Sequence, residues 1–114
     1  MDNNFDWAEG MASAVTAADK DGVIRYMNRK ARETYKKHGN LIGKSLYDCH
    51  GERAAAIIRR LLTEGGTNAY TIEKEGVRKM IYQTAVTAAD GRVEGVVEVS
   101  MVIPGALPHY VRKE

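Results

Sequence analysis

A chain of 114 residues, 44% hydrophobic and 28% charged, is long enough to bury one core and too short for two domains. A net charge of +2 excludes binding of a polyanion by bulk charge alone, and a single cysteine excludes an internal disulfide. No apolar run approaches the roughly 20 residues that span a bilayer. The opening MDNNFDWAEG is acidic and polar where a signal peptide is basic and then apolar, so a soluble, cytoplasmic domain away from membranes is expected.

Phe5 to Ala14 is compatible with a short helix, with Phe5, Ala8, Met11, Ala12 and Val15 at mostly helical spacing, and residues 1–12 read as a helical cap. SAVTAADKDGVIRYMN then reads as two strands around Asp19-Lys20-Asp21-Gly22, whose Asp-Gly pair supplies the positive φ angles of a tight hairpin. Asn28 is the expected N-cap of a helix from about Arg29 to Lys37, closed at His38-Gly39-Asn40. Leu41 to Tyr47 is a connector, and Asp48 reads as the N-cap of a second helix ending at Gly65-Gly66. Three strands follow, Thr67 to Glu75, Val77 to Ala88 and Arg92 to Ile103, the last two joined through Asp90-Gly91.

In the last strand Val93, Val97, Val99, Met101 and Ile103 share one face, taken as the core side, against Glu94, Glu98 and Ser100 on a wet side. Half-wet strands belong to an antiparallel sheet, and the whole pattern is that of an α+β domain over residues 13–103. Pro104 and Pro108 stop any extension, leaving residues 104–114 as an irregular tail.

The segment GKSLYDCH, Gly43 to His50, leads directly into the amphipathic GERAAAIIRRLLTEGG. If the helix begins near Cys49, then His50, Ala54, Ile57, Ile58 and Leu61 form one inward stripe, and a titratable ring points into the interior. Such a ring needs a partner. Three roles are open to His50: a structural side chain bonded to a carbonyl or to a carboxylate such as Asp48, a contact for a ligand in a cavity, or a haem axial ligand against the aliphatic wall of Ile57, Ile58, Leu61 and Leu62. Cys49 is either a redox-sensing thiol, its thiolate favoured by the helix start and the adjacent histidine, or a buried space-filler.

Other motifs fail on their spacing. Gly39 to Ser45 resembles a phosphate-binding loop but has three residues, not four, between its glycines and follows a helix rather than a strand. Cys49 and His50 are adjacent while His38 and His109 are distant, with no C-x-x-C, so structural zinc is not expected. Arg29, Lys30, Arg32, Lys36, Lys37 and Lys44 give a locally basic surface without a DNA-reading motif, and no nucleic-acid partner is expected. No acid–base pair, nucleophile with its base, or metal set stands out, so no enzyme activity is expected. Tyr47, Tyr70 and Tyr82 are the hydroxyls expected as polar handles on a pocket wall.

Taken in order, TAADKDGVI, YMNRKARETY, LIGKSLYD and GRVEGVVEVSMVI resemble the PAS family of sensor domains over roughly Met11 to Ile103; YMNRKARETY is similar to the start of that family's first helix. The resemblance implies a five-stranded antiparallel sheet of order 2-1-5-4-3 with helices over one face. A pocket between them would be lined by Tyr47, Cys49, His50, Ile57, Ile58, Leu61, Tyr70, Tyr82, Val97 and Val99. Family members bind haem, flavins or other small molecules, or bind nothing and dimerise. Without the N-C-R-F-L-Q segment of flavin photoreceptors, a flavin adduct is not expected here. The expected function is sensing of a small molecule, read out by self-association as a homodimer or by docking to a partner; with ten residues after Pro104, the domain is expected either to act in trans or to be an excised piece of a longer protein. The alternative is a ligand-free interaction module with a filled core, presenting Ile24, Tyr26, Val96 and Val102 on an exposed sheet face.

Overall fold

Asp19 makes the first hairpin. In the computed structural model, which describes residues 7–114 apart from the side chain of Cys49, its Oδ1 accepts from the backbone N–H of Asp21 at 2.9 Å and of Val23 at 3.1 Å, while Oδ2 pairs with Arg25 Nε at 2.7 Å. Gly22 completes the turn at φ 80°, a conformation that suits glycine. This joins β1 (Ala14–Asp19) to β2 (Ile24–Met27). Helix α1 (Arg29–Thr34) follows and tightens into a 3-10 turn, Lys36–His38; a second 3-10 turn, Leu46–Cys49, precedes α2 (Glu52–Glu64). Then come β3 (Thr67–Lys74), β4 (Val77–Thr87) and β5 (Val93–Val102). The strands form one antiparallel sheet in the order β2-β1-β5-β4-β3, as the resemblance implies.

Asn28 is the N-cap of α1, as the sequence predicts, and it does more than cap. Its Oδ1 accepts from Ala31 N and from Val15 N, both at 2.9 Å, and its Nδ2 donates to Ala8 O at 2.8 Å and to Ser13 O at 2.9 Å. One fully buried amide therefore ties β1, α1 and the preceding segment together. The same bonds explain why the expected N-terminal helix is not seen among the described residues: Trp7 to Gly10 form a turn, and the carbonyls of Ala8 and Ser13 are turned toward Asn28. Phe5, assigned to that helix, lies outside the described residues.

The layer over the sheet is α2 with the segment before it. Ile58 and Leu61 are buried from α2, and Leu61 packs with Ala18 and Val96, with Ile57 and Leu62 at the margin. Each of these large side chains, removed from water, contributes about 2 kcal/mol. A second cluster joins Ala14, Ile24, Met27 and Ala31, flanked by Tyr35, Leu41 and Leu46.

Two expectations are corrected. Helix α2 starts at Glu52 with Gly51 as N-cap, not at Asp48; Ser45 instead caps the 3-10 turn, accepting from Tyr47 N at 3.1 Å, and His50 is extended at φ −129°, ψ 150°. The faces of β5 are also exchanged. Val96, Glu98 and Ser100 look toward the helices, with Val96 and Ser100 buried, while Val97, Val99 and Met101 occupy the outer face. An apolar face need not be the core face when polar side chains on the inner one bond to each other, which is the case here. Ile24 and Val96 are accordingly buried rather than on an exposed sheet surface. Among the described residues no helix is long and apolar enough to cross a membrane.

Candidate functional site

The roof of the site is placed by the edge of β2. Gly43 N donates to Ile24 O at 2.7 Å, Ile24 N to Lys44 O at 2.9 Å and Leu46 N to Gly22 O at 2.8 Å, so the Gly43–Leu46 segment runs as an irregular extension of the sheet. It hands the chain to the 3-10 turn, at whose end His50 Nδ1 lies 2.7 Å from Leu46 O. A carbonyl only accepts, so Nδ1 carries the hydrogen and Nε2 of the neutral ring keeps its lone pair.

Beneath this roof, between it, the end of α1 and the sheet, is an open cavity of about 930 Å³. Thr16 and Glu98 form its floor, Ile24, Met27, Leu41 and Leu46 its apolar wall, and Tyr35 and His50 its inner polar rim. His38, Lys44 and Asp48 stand at the exposed mouth. A pocket of about 20 Å³ shares the floor and runs under Leu46 and His50 to Ile58, Gln83 and Val96; that is room for one water.

The floor is the least expected part. Thr16, Glu98, Gln83 and Asn68 are consecutive cross-strand partners on β1, β5, β4 and β3. Gln83 Nε2 donates to Glu98 Oε1 at 2.9 Å, and Asn68 Nδ2 donates to Gln83 Oε1 at 2.9 Å. The carboxylate dictates both amide orientations, because it only accepts and Gln83 must therefore present its NH₂ group. Among the described residues no Lys, Arg or His forms an ion pair with Glu98.

The negative charge is felt by two phenols. Burial pushes the Tyr35 hydroxyl up to about 12, with Glu98 adding to the effect and Tyr70 after it. Tyr70 is raised as well, by burial first and then by Glu98. Because the neutral phenol is the form favoured in the folded state, Tyr35's contribution to stability is intact below the ordinary value of 10.0 and is lost as pH rises through about 12. Titration followed by tyrosinate absorbance should show late-ionising tyrosine, with the latest transition lost in Tyr35→Phe. In Glu98→Gln that transition should move down while staying above the ordinary range, since burial is the larger cause. A wild-type profile without a late transition would contradict the placement of Tyr35.

Of the residues expected at a pocket, His50 lines both cavities and Ile58 lines the smaller one, whereas Ile57 and Leu61 pack in the adjoining core. Tyr70 is on the inner face of β3, close enough to Glu98 to sense its charge. Tyr47 turns elsewhere: its ring packs on Gly22 and lies 5.4 Å beneath the Arg59 guanidinium. Tyr82 and its direct partner Val99 are on the outer face together with Val97, which lies opposite Thr84, so the exchange of faces described above leaves them out of the cavity. The Cys49 side chain lies outside the described part. Glu98, Gln83, Asn68 and Thr16 were not among the expected site residues. The signal in the sequence was faint: Gln83 and Glu98 lie near the middle of their strands with an apolar residue, Ile81 or Val96, two positions before, and Asn68 lies near the start of β3. No group of three His, Cys, Asp or Glu side chains among the described residues is placed to hold a metal.

A helix-covered antiparallel sheet of this order, with a cavity between the layers, defines an α+β domain able to enclose a small molecule. The family model of the PAS fold matches residues 9–103, and the chain belongs to the PAS family, whose members are generally sensory rather than catalytic domains of signalling proteins. No curated protein matches the chain. Among solved structures, the PAS domain of histidine kinase ThkA is 23% identical with a TM-score of 0.64, covering 80% of this chain and 99% of that one. The Aer2 receptor from Vibrio cholerae, described as a dual PAS-heme oxygen sensor, is 20% identical with a TM-score of 0.56, covering 84% of this chain and 98% of that one. The PAS domain of BvgS from Bordetella pertussis is 14% identical with a TM-score of 0.60, covering 86% of this chain and 82% of that one. At these identities the likeness is one of fold.

Proposed function

We propose that this PAS domain senses a small organic molecule held between the inner face of the sheet and the Tyr35–His50 segment, and that it signals by altered self-association or by docking to another protein. The observation that carries this reading is the cavity of about 930 Å³, with a carboxylate on its floor and an aliphatic wall, the mix of apolar lining and few polar groups that ligand sites use. A ligand touching both Glu98 and His50 would favour one packing of the roof over the sheet, and the Gln83–Asn68 chain would carry the change to the β3 edge.

The test is a melting-temperature screen of a broad metabolite library on the purified protein, with Leu46→Trp as a cavity-filled control. A ligand at about 100 times its Kd adds roughly 2.7 kcal/mol, so a hit raises the melting temperature by several degrees in wild type and leaves Leu46→Trp unmoved. Uniform silence across the library would end the proposal in favour of a ligand-free interaction module, for which the outer face with Tyr82 and Val86 exposed is the available surface.

Haem is the second reading, favoured by one feature: an imidazole whose Nδ1–H is held by a carbonyl offers Nε2 as an axial ligand. The rest of the site does not fit it. Glu98, Gln83 and Thr16 would lie against the apolar face of the macrocycle, and burying that carboxylate with one hydrogen bond and no counter-charge is unfavourable. Addition of haem should therefore give no Soret band dependent on His50; a band lost in His50→Ala would reverse the order of the two readings.

A further inference from the structure

We infer that the cavity selects organic ligands bearing a protonated nitrogen, such as an amine or amidine, with Glu98 as the counter-ion. This deepens the small-molecule reading and rests on it. Glu98 is half-buried on the floor, and the described residues fill one of its lone-pair positions, through Gln83 Nε2. A carboxylate of this kind can accept about four hydrogen bonds, bidentate ones included. Its cross-strand neighbour Thr16 adds a hydroxyl that accepts at the same place.

The charges around the cavity support the same choice. His38 and Lys44 line it only at the exposed mouth, alongside Asp48, and none of them pairs with Glu98. The groups facing the floor from the other elements are the neutral phenols of Tyr35 and Tyr70 and the imidazole of His50, whose Nδ1–H is held by Leu46 O and which forms no ion pair with Glu98. An anionic ligand seated on the floor would meet like charge in a partly dry site, and a wholly apolar one would strip water from the carboxylate and replace it with nothing. A cationic head does neither, while its body rests on Ile24, Met27, Leu41 and Leu46.

Three probes of one shape and different charge test this: benzamidine, benzamide and benzoate, followed by melting temperature and by the backbone amide resonances of Thr16, Glu98 and His50. Benzamidine should bind more tightly than the other two, and Glu98→Gln, which keeps the acceptor for Gln83, should weaken it at least tenfold without weakening benzamide. Glu98→Asp, which keeps the charge but withdraws it by one methylene, serves if the glutamine variant does not fold, and should weaken benzamidine by less than Glu98→Ala does. Benzoate or benzamide binding as well as benzamidine at the same resonances overturns the charge selection and leaves the pocket reading standing. Benzamidine binding that is indifferent to Glu98 overturns it too. Silence of those resonances to all three probes also overturns it, and the pocket reading is then decided by the library screen.

Discussion

Asn28→Ala should lower the unfolding free energy by about 3–4 kcal/mol, a loss of the size reserved for broken buried networks. The amide is fully buried and makes four bonds, two from Oδ1 and two from Nδ2, to three separate pieces of backbone. Alanine strands the N–H groups of Val15 and Ala31 and the carbonyls of Ala8 and Ser13, and none of these is compensated by a new partner of alanine's own. Asn28→Asp should be nearly as damaging, because an oxygen would replace the Nδ2 donor opposite two carbonyls. Urea unfolding measures both. A loss below about 1 kcal/mol in either variant would mean that the four bonds do not act together. Limited proteolysis should, in parallel, cut the Ala8–Ser13 stretch sooner in the variants, since Asn28 holds its carbonyls directly.

Gly95→Ala should cost about 2–4 kcal/mol for a different reason, steric overlap rather than lost bonding. Gly95 is buried on β5 opposite Asp19, and a Cβ there would come within 2.2 Å of the Ala18 carbonyl oxygen, a backbone atom that cannot swing aside. Relief requires β1 and β5 to separate at the centre of the sheet, next to the packing of Ala18 and Val96 on Leu61. Gly105→Ala is the matched control: open space surrounds that position, and its effect should lie within about 0.5 kcal/mol of zero. Equal melting temperatures for the two variants would contradict the close approach of the strands.

Local chemistry made several features legible in the sequence. The Asp-Gly turn after β1, the capping by Asn28, the glycines that end α2 and the Asp90-Gly91 turn are each decided within a few residues by backbone conformation and short hydrogen bonds, and the structure has them where they were expected. The order of those elements carried the resemblance that implied the sheet order.

What only the tertiary structure decided is where those elements point and which distant side chains they bring together. Period-two alternation in β5 separates two faces but does not say which one the helices cover, and the richer row of valines suggested the wrong one. The position of His50 shifted from the helix to the turn before it because Ser45 caps the 3-10 turn and Leu46 is pinned to Gly22, the latter a contact that spans more than twenty residues. Glu98, Gln83 and Asn68 are polar residues within strands, and in sequence each reads as solvated. Strand pairing sets them side by side on the covered face, where they satisfy one another and leave one carboxylate facing a cavity, and side-chain pairing at that range is a property of the assembled sheet rather than of any segment in it.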